Sequence, residues 1–514
     1  MTTDLLLIAV PMRNLSYPPM ALPLLKSILH SHGHTVALND AHLEYYKHCG
    51  ARDDSEFLRQ TLPMQNAEAK TWQQLEDSDF GKWIRGYTQR LLDQHRPRVV
   101  GLSVFSLVSV LAAYYMARVI REQATDGTKI IIGGGGASTP LNFPEAMGAP
   151  VEDTLAQTLI VEGTIDTAIL GDGEEAIVEF MRTLDNDDPQ RINRIKNFDN
   201  VPYPDYSDMD LKSYPYTNNL TLPVTGSKGC VRRCTFCDIP DLFGKYRQRS
   251  GRDMAAECIH LYETYGAKTM FLTDSLVNGS VKNFLEFTET LSELRAKKNY
   301  HDLQWTGQYI TRPAHQIPHQ RDYYPLMAAS GAVGLGVGAE SGSDRVLKHM
   351  DKKQKISDLF TELDYFRKHG ITMVTNILPS YPTETREDFE LTIKMIKDFQ
   401  PYMADGTMEK IAGISPWYKH LPLNRWKLTP KQGFYHNRDD GNMWWYSHNP
   451  ELTLQERVFR RLAISKCLSE LKIPSSMDQI YEARRIAKWY EGSKDNYEQW
   501  LAGIDEYQTW SAGA

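Results

Sequence analysis

The chain of 514 residues is predicted to be α/β, with two successive domains of strand–helix repeats and a mostly helical carboxyl-terminal region. Three observations predict this. Short apolar runs alternate with helically spaced apolar stretches over residues 1–196. A second alternation of the same kind occupies residues 216–400. Residues 197–215, between them, are rich in Pro, Asp and Tyr and lack periodicity, as a linker does.

In the first series, Leu5–Val10 reads as a buried strand. Residues from Pro19 to His32 carry Ala21, Leu24, Leu25, Ile28 and Leu29 at helical spacing before Gly33 stops the helix. Strands are expected at Thr35–Asn39, Val99–Phe105, Lys129–Ile132 and Thr167–Leu170, the last leading through Gly171 to a helix from Glu175. Strands alternating with helices imply a parallel sheet, doubly wound in the Rossmann manner. Its ligand belongs at the carboxyl ends of the strands. The polar interval from about 44 to 95 breaks the rhythm and reads as a helical insertion.

In the second series, strands are expected at Leu222–Thr225, Thr269–Leu272, Gln304–Ile310, Val333–Ala339 and Thr372–Leu378. Ser280 and Ser343 stand where helix caps belong, and Thr385 with Asp388 resembles a capping box. Repeated βα units argue for a full or partial barrel with its chemistry on the loops after the strands. Residues 401–514 read as irregular and then helical, with an amphipathic helix over Leu454–Leu471. The aromatic patch Met443–Asn449 is a candidate pocket wall or domain packing surface.

The net charge of −7, without a basic block, points away from a partner held by its phosphates, so no nucleic acid is expected. The first apolar run is too short to span a membrane, and a cytoplasmic protein is expected. Of six cysteines, Cys230, Cys234 and Cys237 crowd into eight residues, while Cys49, Cys258 and Cys467 are scattered and read as buried thiols. The spacing of the three is C-x3-C-x2-C. Thiolates suit an iron–sulfur cluster or zinc. Structural zinc generally uses two C-x-x-C pairs, and only one is present here. Three thiolates leave one iron of a four-iron cluster without a protein ligand, and an open position is what a catalytic metal needs. Lys228, Arg232 and Arg233 stand ready to offset the charge.

This cysteine loop, with Phe236 before the third cysteine, resembles that of the radical S-adenosylmethionine (SAM) superfamily. The resemblance implies a [4Fe–4S] cluster on Cys230, Cys234 and Cys237. Its open iron would chelate SAM and cleave it to methionine and a 5′-deoxyadenosyl radical. By the same resemblance Asp274 and Ser275 occupy the place that meets the SAM amino group. Glu340 and Ser341, in a segment running from Gly336 to Lys353, would reach its ribose or methionine part. Pro379, in the segment from Asn376 to Phe389, would border the adenine, with Ser380 and Tyr381 replacing the usual glycine region.

The first domain is similar to the cobalamin-binding domain that precedes the barrel in one class of these enzymes. The matching pieces include Ser103, Gly133, Gly134, Gly135, Gly171 and Glu174, which the resemblance places around cobalamin. A cobalt-ligating Asp-x-His-x-x-Gly motif is missing. Asp40 and His42 begin like it, but they follow the second strand, and His42 reads as a loop histidine. The implied activity is methylation of an unactivated carbon of a small-molecule or peptide substrate, with a reductase, flavodoxin or ferredoxin as electron donor. Alternatives are a radical cyclase or oxidative enzyme of the same class, and a non-catalytic iron–sulfur or corrinoid-binding protein. Only Cys49 precedes Cys230, whereas the tRNA methylthiotransferases carry a second cysteine triad there. No acid, base or nucleophile is singled out as catalytic.

Overall fold

The computed structural model describes residues 3–11, 15–51, 57, 72–105, 109–138, 154–184, 190–193, 195, 198–199, 201–215, 219–237, 239–317, 320–414, 434–436, 445–447, 451–452 and 454–473. The chain forms two compact units, residues 1–224 with 248–271 and residues 225–247 with 272–514.

The principal elements before residue 200 are β1 (Leu5–Ala9), α1 (Ala21–Ser31), β2 (Val36–Asp40), α2 (Ala41–Cys49), α3 (Trp72–Asp77), α4 (Asp79–His95), β3 (Val99–Ser103), α5 (Val110–Gln123), β4 (Lys129–Gly133), α6 (Leu155–Val161), β5 (Thr167–Gly171), α7 (Gly173–Thr183) and β6 (Gln190–Asn193). The strands form one parallel sheet in the order β2-β1-β3-β4-β5-β6. The order reverses at β1 and β3, which creates the switch point where doubly wound sheets take their ligands.

The apolar runs form central strands because helices cover both faces. Leu5, Leu7 and Ala9 pack with Leu22 and Leu29 of α1 and Phe180 of α7. Leu6 and Ile8 point the other way, into a core shared with Ile84 of α4 and Met116 of α5. Each such Leu or Ile contributes about 1.5–3 kcal/mol by leaving water.

The expected strands and helices of this series are present, with ends differing by a residue or two. The interval expected as an insertion contains α2, α3 and α4. One reading is corrected: His42 lies on a helix and not on a loop. The Asp40 side chain accepts from the His42 N–H at 3.1 Å, capping α2 and starting the helix at Ala41. His42 is wholly buried, edge-on to Phe57. Strand β6 was not anticipated.

The later elements are β7 (Thr221–Val224), α8 (Gly251–Tyr265), β8 (Thr269–Leu272), α9 (Val281–Lys298), β9 (Gln304–Tyr309), α10 (Gln320–Ala329), β10 (Ala332–Glu340), α11 (Asp344–His349), α12 (Ile356–His369), β11 (Thr372–Ile377), α13 (Arg386–Asp398), β12 (Met408–Ile414) and α14 (Leu454–Glu470). Their sheet order, β12-β11-β10-β9-β8-β7, is that of a partial barrel. Ser280 and Ser343 cap α9 and α11, and Thr385 with Asp388 closes a capping box on α13, as the sequence suggests.

Residues past 400 are not irregular at first, because β12 continues the sheet beside β11. Its register against β11 shifts twice, and such irregularities break the two-residue period by which a strand is recognised. Trp445–Ser447 pairs with Phe434–His436 as an antiparallel hairpin. The rest of the aromatic patch, Met443, Trp444, His448 and Asn449, lies outside the described residues.

Candidate functional site

The cysteine loop is pinned on both flanks. At its start, the Gly226 N–H and the Ser227 hydroxyl donate to the two carboxylate oxygens of Asp274, at 2.8 and 2.5 Å. At its end, the Thr235 N–H donates to the Met350 carbonyl at 3.0 Å, and the Thr235 and Tyr381 hydroxyls are 2.9 Å apart. Gly229 has φ +83°, and a Cβ there would crowd the backbone of Gly244, Lys245 and Tyr246 at 3.1–3.2 Å. A side chain at this position would therefore displace the loop.

Cys234 is 8% exposed, while Cys230 and Cys237 are partly exposed. Burial pushes the Cys230 and Cys234 thiols above the ordinary thiol range, and the positive charges of Lys352 and Arg232 oppose that rise. Among the described residues no three His, Cys, Asp or Glu side chains already converge into a closed metal cage. A four-iron cubane stands between its thiolates, so they need not touch one another. Three soft donors on one turn, beside cations and open on one side, fit such a cluster by donor chemistry.

Beside the loop lies an ion pair that the sequence did not disclose. Lys352 Nζ is 2.7 Å from Glu340 Oε1, with side chains 12% and 9% exposed. Lys352 also lies over the Phe236 ring, 5.7 Å from its centroid. Burial alone would lower the Lys352 pKa, but Glu340, Cys234 and Cys237 more than reverse it and keep the ammonium charged. Glu340 adopts φ +62°, an uncommon conformation for a residue with a side chain. A Cβ on Gly338 would lie 2.2 Å from Glu340 Oε1 and 2.6 Å from Lys352 Nζ, so a side chain there would push the pair aside. Only spacing hinted at this: Lys352 falls twelve residues after Glu340, across a turn and α11.

The other residues expected around SAM fall on the same strand ends. The Leu378 N–H donates to the Glu340 carbonyl at 2.7 Å, which places the Pro379 turn beside Glu340. Pro379 and Ser341 are buried, and the Ser341 hydroxyl accepts from the Ser343 N–H at 3.2 Å. Ser275 is half-buried. Asp274 holds the loop and does not cap α9, whose cap is Ser280. Gly334, Gly336 and Gly338 alternate along β10 with the buried Leu335, Val337 and Ala339, leaving one face of the central strand without side chains. Ser380 adopts φ +65°, which explains why a glycine is expected there.

In the first unit, Ser103, Gly133 and Gly171 end β3, β4 and β5. Gly134 has φ +95°, and a Cβ there would lie 2.3 Å from the Val104 carbonyl. Backbone crowding thus accounts for that glycine. Gly134, Gly135 and Gly171 are exposed, Glu174 is buried on the first turn of α7, and Phe105 is 62% exposed. Small residues at these strand ends leave the backbone open to close approach by a large ligand, and the exposed Phe105 ring adds apolar area, which fits a corrinoid. Cys258 and Cys467 are buried thiols, as expected, and Cys49 is half-buried. Among the described residues no helix is long and apolar enough to cross a membrane.

The chain is similar to several known proteins. It is 28% identical over 189 residues to the tRNA-2-methylthio-N(6)-dimethylallyladenosine synthase of Sulfurihydrogenibium, a match covering 36% of this chain and 42% of that protein. The chain thus spans less than half of that relative. It is 22% identical over 402 residues to an uncharacterized methyltransferase of Synechocystis, covering 74% of this chain and 70% of the other. Its fold resembles that of TsrM from Kitasatospora setae, a radical S-adenosylmethionine methyltransferase solved with tryptophan and a SAM analogue. The TM-score is 0.57 at 18% identity, covering 80% of this chain and 73% of the other. Residues 224–396, which begin at the end of β7 and run into α13, match the family model of the Radical SAM superfamily, so this part of the chain is similar to enzymes that use a [4Fe–4S] cluster and SAM.

Proposed function

We propose that this protein is a cobalamin-dependent radical SAM methyltransferase acting on an unactivated carbon of a small molecule or peptide. The observation that carries the reading is the order of two sites along one chain. A parallel sheet with exposed glycines and Phe105 at its strand ends is followed by a partial barrel bearing the C-x3-C-x2-C loop. The names of the Synechocystis relative and of TsrM support methyl transfer.

When bound, the cluster and SAM supply a one-electron route to hydrogen abstraction, and cobalamin supplies the methyl group. The chain's own residues bind and orient. Cys230, Cys234 and Cys237 ligate iron, while Lys352 and Arg232 offset the negative charge of the cluster. Lys352 and Glu340 offer a cation and a carboxylate to the zwitterionic end of SAM. The glycines of β10 make room for the Gln308 side chain at Gly336 and for the Glu340–Lys352 pair at Gly338. Phe236, Leu378 and Tyr381, in one apolar cluster with Val346 and Met350, keep water from the loop. Ser103, Gly133, Gly134, Gly135, Gly171 and Glu174 border the corrinoid.

The test is anaerobic turnover of reconstituted protein with SAM, a reductant and hydroxocobalamin. Equal yields of 5′-deoxyadenosine and S-adenosylhomocysteine are expected with a methyl acceptor. Deoxyadenosine alone would favour cyclisation or oxidation, and neither product would favour a cofactor-binding protein. A tRNA methylthiotransferase is disfavoured by the cysteine count before residue 230.

A further inference from the structure

Helix α14 is joined to the cysteine loop through buried hydrogen bonds. Its Arg460 pairs with Glu384, the residue before the α13 cap, and the two side chains are 1% and 0% exposed. Arg460 Nη1 donates to Glu384 Oε2 at 2.9 Å and to the Glu384 carbonyl at 3.3 Å. Arg460 Nε donates to Glu456 at 2.9 Å, and the guanidinium lies over the Phe389 ring. The guanidinium is therefore oriented on several sides.

The same Glu384 oxygen accepts from the Ser380 N–H at 2.6 Å. Ser380 is the residue at φ +65°, a conformation that needs outside support in any residue with a Cβ. Glu384 supplies it from both ends, since its own N–H donates to the Tyr381 carbonyl at 2.7 Å. Tyr381 is wholly buried, and its hydroxyl meets the Thr235 hydroxyl at 2.9 Å and the His349 carbonyl at 3.3 Å. Thr235 immediately follows Cys234 and lies two residues before Cys237. The path thus runs Arg460, Glu384, the Ser380–Tyr381 turn, Thr235, cysteine loop.

We propose that Arg460 and Tyr381 are positioning residues: through Glu384 and Thr235 they hold the turn after β11 and the cysteine loop in the geometry that admits SAM. The proposal rests on the radical SAM reading above. Neither residue touches the reacting atoms. Arg460 acts through the carboxylate it neutralises, and Tyr381 acts through a hydroxyl that phenylalanine would lack.

The experiment compares full-length wild type with Arg460→Met, Tyr381→Phe and the double variant Glu384→Gln/Arg460→Met after anaerobic reconstitution. Iron content, thermal melting, the EPR spectrum of the reduced protein with and without SAM, and SAM affinity by calorimetry are measured. Tyr381→Phe keeps the volume, and the double variant leaves no fully buried charge unpaired, since Glu456, the other partner of Arg460, is 25% exposed, so both should fold if Arg460→Met does not. The expected result is wild-type iron content, an altered EPR response to SAM, and SAM affinity weakened by about 2- to 30-fold. Folded variants with wild-type affinity and spectra would overturn the proposal while leaving the cofactor assignment intact. A wild-type protein that takes up no four-iron cluster would overturn the cofactor assignment, and the positioning roles with it.

Discussion

The two parallel sheets of this molecule treat their strand ends in opposite ways. The amino-terminal sheet ends in glycines and the exposed Phe105, with Glu174 buried on the first turn of the following helix. The barrel sheet ends in tightly engaged polar groups: Asp274 on the cysteine loop, Glu340 on Lys352 and Glu384 on Arg460. A bare strand end accepts a large ligand largely through shape. A strand end fixed by buried ions presents charge at fixed positions, and partly buried charges are weakly screened. The contrast suits a bulky corrinoid at one sheet and a small zwitterion with an anionic cluster at the other.

That contrast can be broken by substitution, most strongly at the iron. Replacing Cys234 with Ala should abolish SAM cleavage and lower bound iron, while cobalamin retention by the amino-terminal sheet stays unchanged. Iron assay and the absorption spectrum of bound pigment would check both halves. Loss of both cofactors together would show that the two sheets are not separate in this respect.

Next in size is Lys352→Met, which leaves Glu340 buried without its cation. Removing one partner of a buried pair costs about 3–5 kcal/mol. Denaturant unfolding should show a loss of that order, together with weaker SAM binding. A loss under about 1 kcal/mol would mean that the pair is solvated like a surface salt bridge.

At the other sheet, Gly134→Ala must place a Cβ against the Val104 carbonyl at positive φ. Strain of about 1–3 kcal/mol is expected, with reduced cobalamin retention and an intact iron signal. Unfolding followed by circular dichroism would measure it. The smallest effect on stability belongs to Phe105→Ser, because an exposed ring contributes little to the fold, within about 0.5 kcal/mol. Equilibrium dialysis against hydroxocobalamin should nonetheless show weaker binding. Unchanged binding would remove Phe105 from the proposed corrinoid surface.

The cysteine triad and both α/β series were legible because each rests on local rules. Ligand spacing along a loop is a property of a short stretch of chain, and Leu5–Ala9 reads as a central strand because both its faces must be apolar. Ser280, Ser343 and Thr385 could be recognised as caps because a cap bonds within its own first turn. Strand β12 was hidden by its register shifts. His42 reads as a loop residue because the polar residues that follow it mask the apolar period of α2, although Asp40 caps that helix within its first turn.

The sequence by itself determined which three thiols crowd onto one loop, which segments form most of the strands, and that two parallel sheets follow one another along the chain. Only the tertiary structure decided which charges meet. Lys352 pairs with Glu340 across a helix, Asp274 grips Gly226 and Ser227, and Arg460 reaches Glu384 from a helix near the far end of the chain. Periodicity records whether a side chain faces core or solvent, whereas an ion pair depends on the relative placement of two elements. That placement is set by packing, which no local pattern in the sequence encodes.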